Sequence, residues 1–156
     1  MSNKRELIEY HGIENCSLDH INYFKQVNVD FTFCVPIQKP DIEQLVKVWV
    51  TPCVIQKKII RTPIAESLEG QKVTGHKCMI SADISYKVEY VALECTQPLH
   101  TAHTTIPFCS YIVLPENFNP NTILSLNIAV EDIYSELLDE RSIYNNVTMM
   151  LVADLC

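Results

Sequence analysis

From Cys78 to Tyr90 every second residue is built to be buried. Cys78, Ile80, Ala82, Ile84, Tyr86, Val88 and Tyr90 alternate with Met79, Ser81, Asp83, Ser85, Lys87 and Glu89. Successive side chains on an extended strand point to opposite faces, so this run sends one face into a core and leaves the other in water. A helix would need apolar residues three or four apart, a spacing this run lacks. The chain is thereby committed to a sheet, and a sheet with a wet face needs a second layer to cover its dry one.

The same alternation recurs elsewhere. Val27, Val29, Phe31, Phe33 and Val35 share one side of a strand, which Pro36 and Pro40 stop because proline donates nothing to a ladder. A strand is predicted from Leu45 to Thr51, with Leu45 or Val46, Val48 and Val50 inward and Trp49 opposite. Pro52 marks an edge or bulge, and Cys53 to Arg61 reads as a further extended piece. Residues 63 to 70 read as a connection with a Glu69-Gly70 turn, and residues 94 to 103 as a polar connection. Thr104 to Leu114 contains Pro107, which predicts an edge or bulged strand. Pro115 to Asn121 is turn-rich; Leu124 to Val130 alternates again and extends through Asp132 and Tyr134 past a bulge. Glu136 to Arg141 is a charged hairpin loop, and Ile143 to Ala153 the last strand, kinked at Asn145-Asn146.

About seven or eight extended segments at this spacing, without a long helix, predict an all-β fold: an antiparallel β-sandwich, with a partly open β-barrel as the alternative. At 156 residues, 47% hydrophobic and 20% charged, the chain suffices for one globular domain. Residues 1–25 read as an N-terminal arm with a helical turn near Leu18 to Phe24, and residues 26–156 as a single β domain.

The formal charge of −7 opposes binding to a phosphate backbone, so no nucleic-acid partner is expected. Lys57, Lys58 and Arg61 form the densest basic group and read as the wet side of a strand. No apolar run has the length of a membrane span. Met1 to Leu7 has basic residues without a following apolar stretch, so no secretory signal is expected and the cytosol is the expected compartment.

The seven cysteines form no Cys-x-x-Cys pair, which excludes a zinc ribbon or thioredoxin motif. They read either as small buried apolar side chains or, where exposed, as sites that cross-link in an oxidising layer. Cys16 and Cys156 are the cross-link candidates, because termini are usually exposed. The metal candidates are Cys95, His100 and His103, with Cys109 nearby; His76 and Cys78, two apart on a strand, could also share a face. On a loop, His100 and His103 could turn to one ion, whereas on a strand they would face apart. The alternative is that both histidines hydrogen-bond loop backbone, so no cofactor or metal is assigned. No motif supports a cysteine-protease triad, a P-loop or a serine elbow. Adjacent carboxylates such as Glu131-Asp132 cannot flank one glycosidic bond from a strand. No enzyme activity is expected. Trp49, the only tryptophan, reads as core under a loop or as an aromatic contact for a partner or sugar ring.

Several segments carry a resemblance: Val35-Pro36-Ile37-Gln38-Lys39-Pro40-Asp41-Ile42, Ser67-Leu68-Glu69-Gly70-Gln71-Lys72-Val73-Thr74-Gly75, and Pro98-Leu99-His100-Thr101-Ala102-His103. Phe108 to Pro115, Val130 to Tyr134 and Arg141 to Thr148 extend it. Over about residues 33 to 152 the chain resembles the SPOCS domain of spore-coat-associated proteins from clostridia and related spore formers. Tyr111 stands where that pattern has a second phenylalanine. The resemblance implies a β-rich, non-enzymatic building block of the spore envelope, made in the mother cell and carried to the coat or exosporium. Its implied partners are other envelope proteins and further copies of itself, and sandwich edges that pair between copies are one route. Some members add a LysM module and bind the coat's morphogenetic ATPase; no LysM pattern lies within these 156 residues, so peptidoglycan binding through LysM is not carried over and the ATPase contact stays open.

Overall fold

The computed structural model describes residues 8–14, 23–66, 72–94, 96, 98–115, 119 and 124–155. Seven strands form: β1 (Glu9–His11), β2 (Tyr23–Cys34), β3 (Ile42–Glu66), β4 (Lys72–Ala92), β5 (Leu99–Val113), β6 (Leu124–Leu137) and β7 (Ser142–Leu155). They make a four-stranded sheet ordered β1-β3-β4-β5 and a three-stranded sheet ordered β2-β7-β6. All pairings are antiparallel except β1 with β3, and neither sheet closes on itself. The fold is therefore a sandwich and not the barrel alternative, and no helix occurs among the described residues.

The alternation from Cys78 to Tyr90 is β4, the central strand of the larger sheet, and its seven inward side chains are all buried. They meet Phe33, Ile143, Val147, Met149 and Leu151 of the smaller sheet in one core. Burying each large side chain of this kind contributes about 1.5–3 kcal/mol. Tyr86 lies at the centre, with Phe31 and Phe33 edge-on at 5.3 and 5.5 Å between ring centroids.

The two pieces expected on either side of Pro52 are one strand, β3. Its missing N–H is tolerated because β1 ends opposite Trp49, so β3 is an open edge by Pro52. A register shift between Leu45 and Lys47 lets both Leu45 and Val48 face inward, which simple alternation forbids. Strand β5 begins at Leu99, so His100 to His103 are strand, not loop. Pro107 does lie on an edge strand. The β6 bulge falls between Val130 and Asp132, and beyond it the inward set becomes Ile133 and Ser135 in place of Asp132 and Tyr134. Asn145-Asn146 does not kink β7, whose ladder to both neighbours is continuous there. Pro63 lies within β3, and the Glu69-Gly70 turn falls outside the described residues.

Residues 9–11, expected in the arm, form the edge strand β1, and Tyr23 and Phe24 open β2 where a helical turn was expected. The rest of that expected turn, 18–22, lies outside the described residues. β1 and the segment after it join the two layers: the Glu14 N–H donates to the Val130 carbonyl at 2.8 Å, and the Ser135 N–H to the Tyr10 hydroxyl at 3.1 Å. Gly12 makes this crossing at φ +112°, and a Cβ there would overlap the Val50 carbonyl. Gly12→Ala is expected to cost about 1–3 kcal/mol through strain and displacement of β1. A lowered melting temperature with altered Trp49 fluorescence would show it; a melting curve identical to the parent's would refute the crossing as drawn.

Candidate functional site

The sequence-proposed metal ligands do not come together. On β5, His100 faces inward with Ala102, while His103 faces out. The spacing of three that a loop would have tolerated separates them on a strand. His100 stacks on Tyr90 at 5.9 Å between centroids, and its Nε2 is 3.7 Å from Glu94. Cys95 lies outside the described residues, and Cys109 is exposed on the outer face of β5. His76 and Cys78 share the inner side of β4, but Cys78 is fully buried and burial pushes its thiol up from the usual range. Among the described residues, no three His, Cys, Asp or Glu side chains gather as a metal site.

Trp49 sits on the outer face of β3, half-buried. His11 of β1 stacks on it at 5.2 Å between centroids and 16° between planes, and Lys87 of β4 lies 5.0 Å over its ring. Both contacts come from the neighbouring strands, and the ring stays half-buried between them. His11 was missed in the sequence because nothing local marks residues 9–11 as a strand; only pairing with β3 makes them one.

Cys16 and Cys156 lie outside the described residues. Of the four described cysteines, Cys78 alone is buried; Cys34, Cys53 and Cys109 are exposed thiols. All three project from β2, β3 and β5, strands with an open edge. The reading of the cysteines as small core residues therefore holds for Cys78 and not for these three. Edge pairing between copies is opposed on the larger sheet by Pro52 and Pro63 in β3 and Pro107 in β5.

The residues with the clearest joint geometry cluster at one end of the sandwich. Arg141, in the β6–β7 turn, reaches under the β2–β3 connector. Its Nη1 donates to Asp41 Oδ1 at 2.7 Å and to the Lys39 carbonyl at 3.1 Å. Its Nη2 donates to the carbonyls of Pro36 at 2.8 Å and Val35 at 3.4 Å. The Tyr90 hydroxyl donates to the Pro40 carbonyl at 3.0 Å, and the Leu93 N–H to the Asp41 carbonyl at 3.0 Å. Beside this latch runs an open groove of about 340 Å³, lined by Ile42, Glu43, Leu93, Leu137, Leu138, Asp139 and Glu140. Asp139 accepts the Arg141 backbone N–H at 2.7 Å, which holds its carboxyl below the usual range and keeps it charged. An open, acidic groove lined by leucine and isoleucine is suited to contact with another surface.

The family described as "SipL, SPOCS domain" matches residues 41–138. The match covers more than half of the chain. The chain belongs to the SPOCS domain family. No curated protein and no solved structure matches it. The matched span runs from Asp41 of the latch through β3, β4, β5 and β6 to Leu138 of the groove. Strands β2 and β7, which flank the match, complete the smaller sheet of this SPOCS domain. Family membership points to a role connected with sporulation. The Pro-x-x-Lys-Pro-Asp-Ile and Arg-Ser-Ile-Tyr segments, distant in sequence, meet in the Asp41–Arg141 ion pair, so in this SPOCS domain they hold the fold's end together.

Alkaline stability follows from two tyrosines of the core. Burial pushes the phenols of Tyr86 and Tyr90 above their ordinary range, offset in part by Asn145 and Ser135 beside Tyr86 and by Arg141 near Tyr90. Their contribution is intact below the unfolded phenol pKa of about 10, where both states hold the proton. Above it the unfolded chain releases protons that the folded chain keeps, so stability falls as pH rises. Thermal melts on either side of about pH 10 should show the drop. Tyrosine ultraviolet absorbance should show two phenols that ionise later than an ordinary tyrosine.

Proposed function

We propose that this SPOCS domain is a non-enzymatic structural protein of the bacterial spore envelope, in the coat or exosporium, acting through protein–protein contacts that include its own copies. The observation that carries the reading is the family match over residues 41–138. The surface chemistry agrees with a contact role: Ile37, Leu93, Leu138, Met79 and Tyr111 are large apolar side chains left exposed. No helix among the described residues is long and apolar enough to cross a membrane. The protein is made in the mother cell and is laid onto the developing spore by its partners.

The test is a fluorescently tagged copy followed through sporulation. The expected result is accumulation at the forespore surface, retained on the mature spore. A diffuse signal throughout, with none in purified envelopes, would sink the reading.

A further inference from the structure

Among the described residues, eight of the ten large apolar side chains left exposed fall into two groups, and the charges that line the two groups differ. At the latch end, Ile37, Leu93, Leu99 and Leu138 are exposed, Ile37 at 90%. Three carboxylates, Glu43, Asp139 and Glu140, line the groove there. Toward the other end of the larger sheet, Met79, Tyr111, Val113 and Ile55 are exposed. Two cross-strand rows set this second patch: Lys58 beside Met79 beside Tyr111, and Ile60 beside Lys77 beside Val113. The Tyr111 ring carries Lys25 Nζ at 3.6 Å and Lys77 Nζ at 5.1 Å from its centroid. Neither row contains a carboxylate, in a chain whose formal charge is −7.

The two patches are complementary: one leucine-rich and acidic, the other aromatic-aliphatic and basic. Met79 and Leu93 are separated by 14 residues of nearly continuous strand, on the order of 45 Å at the rise of an extended chain. One molecule cannot bring them together, because β4 is the stiff central strand of its sheet. Only different molecules can. The acidic patch caps the end of the sandwich, whereas the basic one lies on the outer face of the larger sheet. A contact between unlike surfaces set in different directions leaves one of each unused, so it runs on past a pair of copies, into a ring or an open filament. The prolines on β3 and β5 oppose pairing along the edges of the larger sheet, whose outer face carries the basic patch.

We infer that copies of this chain associate head to tail, the Lys58–Met79–Tyr111 patch of one copy seating on the Leu93–Leu138 groove and its carboxylates in the next. This deepens the contact role proposed above and rests on it. The experiment is sedimentation velocity with light scattering on the full chain, on Lys58→Glu/Lys77→Glu, and on Glu43→Lys/Glu140→Lys, with circular dichroism to confirm that each is folded. The parent should form species that grow with concentration and shrink with added salt. Each double variant alone should associate at least about tenfold more weakly, since like charges then face each other. An equimolar mixture of the two should assemble again.

Undiminished association of either double variant, or a mixture that does not recover, overturns the head-to-tail contact while leaving self-association standing. Growth that stops at a dimer also overturns it. Assembly only on addition of a polyanion assigns the basic rows to that ligand and overturns it too. A parent that stays monomeric at high concentration overturns both the contact and the self-association part of the proposed function; localisation to the envelope is then judged separately by the tagged copy.

Discussion

Tyr86→Ala is expected to lower the unfolding free energy by about 4 kcal/mol, near the range for emptying a large aromatic site in a core. The ring fills the centre of the sandwich, edge-on to Phe31 and Phe33, and is 1% exposed. Collapse into the space is limited, because β4 is held on both sides by β3 and β5. For a domain stable by about 5–15 kcal/mol, such a loss brings the chain close to unfolding at physiological temperature. Tyr86→Phe is the control. The Tyr86 hydroxyl is buried without a partner of good geometry, although it lies beside the Ser135 hydroxyl that donates to Asn145 Oδ1 at 2.6 Å. Removing that hydroxyl is expected to change stability by less than about 1 kcal/mol. It should also remove one of the two late-titrating phenols. Urea denaturation of both variants separates the ring from its hydroxyl. A Tyr86→Phe loss as large as that of Tyr86→Ala would mean that the hydroxyl is bonded after all.

What could be read in advance divides by range. The β4 alternation, the Phe33 strand and the Pro107 edge are local patterns, and each appears where its residues placed it. Strand β1 was not legible, since Glu-Tyr-His has no period of its own and becomes a strand by lying along Lys47 to Trp49. His100 to His103 looked like loop because a threonine- and histidine-bearing stretch is polar. It is extended because Val91 to Tyr86 of β4 supplies a continuous ladder partner. Asn145 looked like a kink and is instead a buried side chain, bonded to Ser135 across the β6–β7 ladder. In each case a partner on a neighbouring strand supplied what local propensity lacked. The same holds for the latch and groove: the segments that carry the family likeness were visible, but their convergence on Arg141 needed the fold.

Arg141→Ala is expected to cost about 2–3 kcal/mol, and the apportioning of that loss tests the latch. The ion pair with Asp41 is partly exposed, at 36% and 42% for the two side chains, so by itself it contributes no more than about 1 kcal/mol. The larger part comes from the three backbone carbonyls, of Val35, Pro36 and Lys39, which a charged donor satisfies. Asp41→Asn should therefore cost about 1 kcal/mol or less, well under the arginine change. Arg141→Lys should recover less than half of the loss, because a single ammonium cannot fork between Asp41 and the Pro36 carbonyl as a guanidinium does. Urea midpoints give the energies. Amide exchange gives the location, with faster exchange at Val35 and Ile42, whose N–H groups donate to the Arg141 and Glu140 carbonyls at 2.9 and 2.7 Å. Equal losses for Arg141→Ala and Asp41→Asn would assign the whole effect to the ion pair and deny the carbonyl contacts any part in it. Because Glu140 and Asp139 stand on the same turn, a loosened latch should also blur the groove, so Arg141→Ala is expected to weaken any association that uses this end.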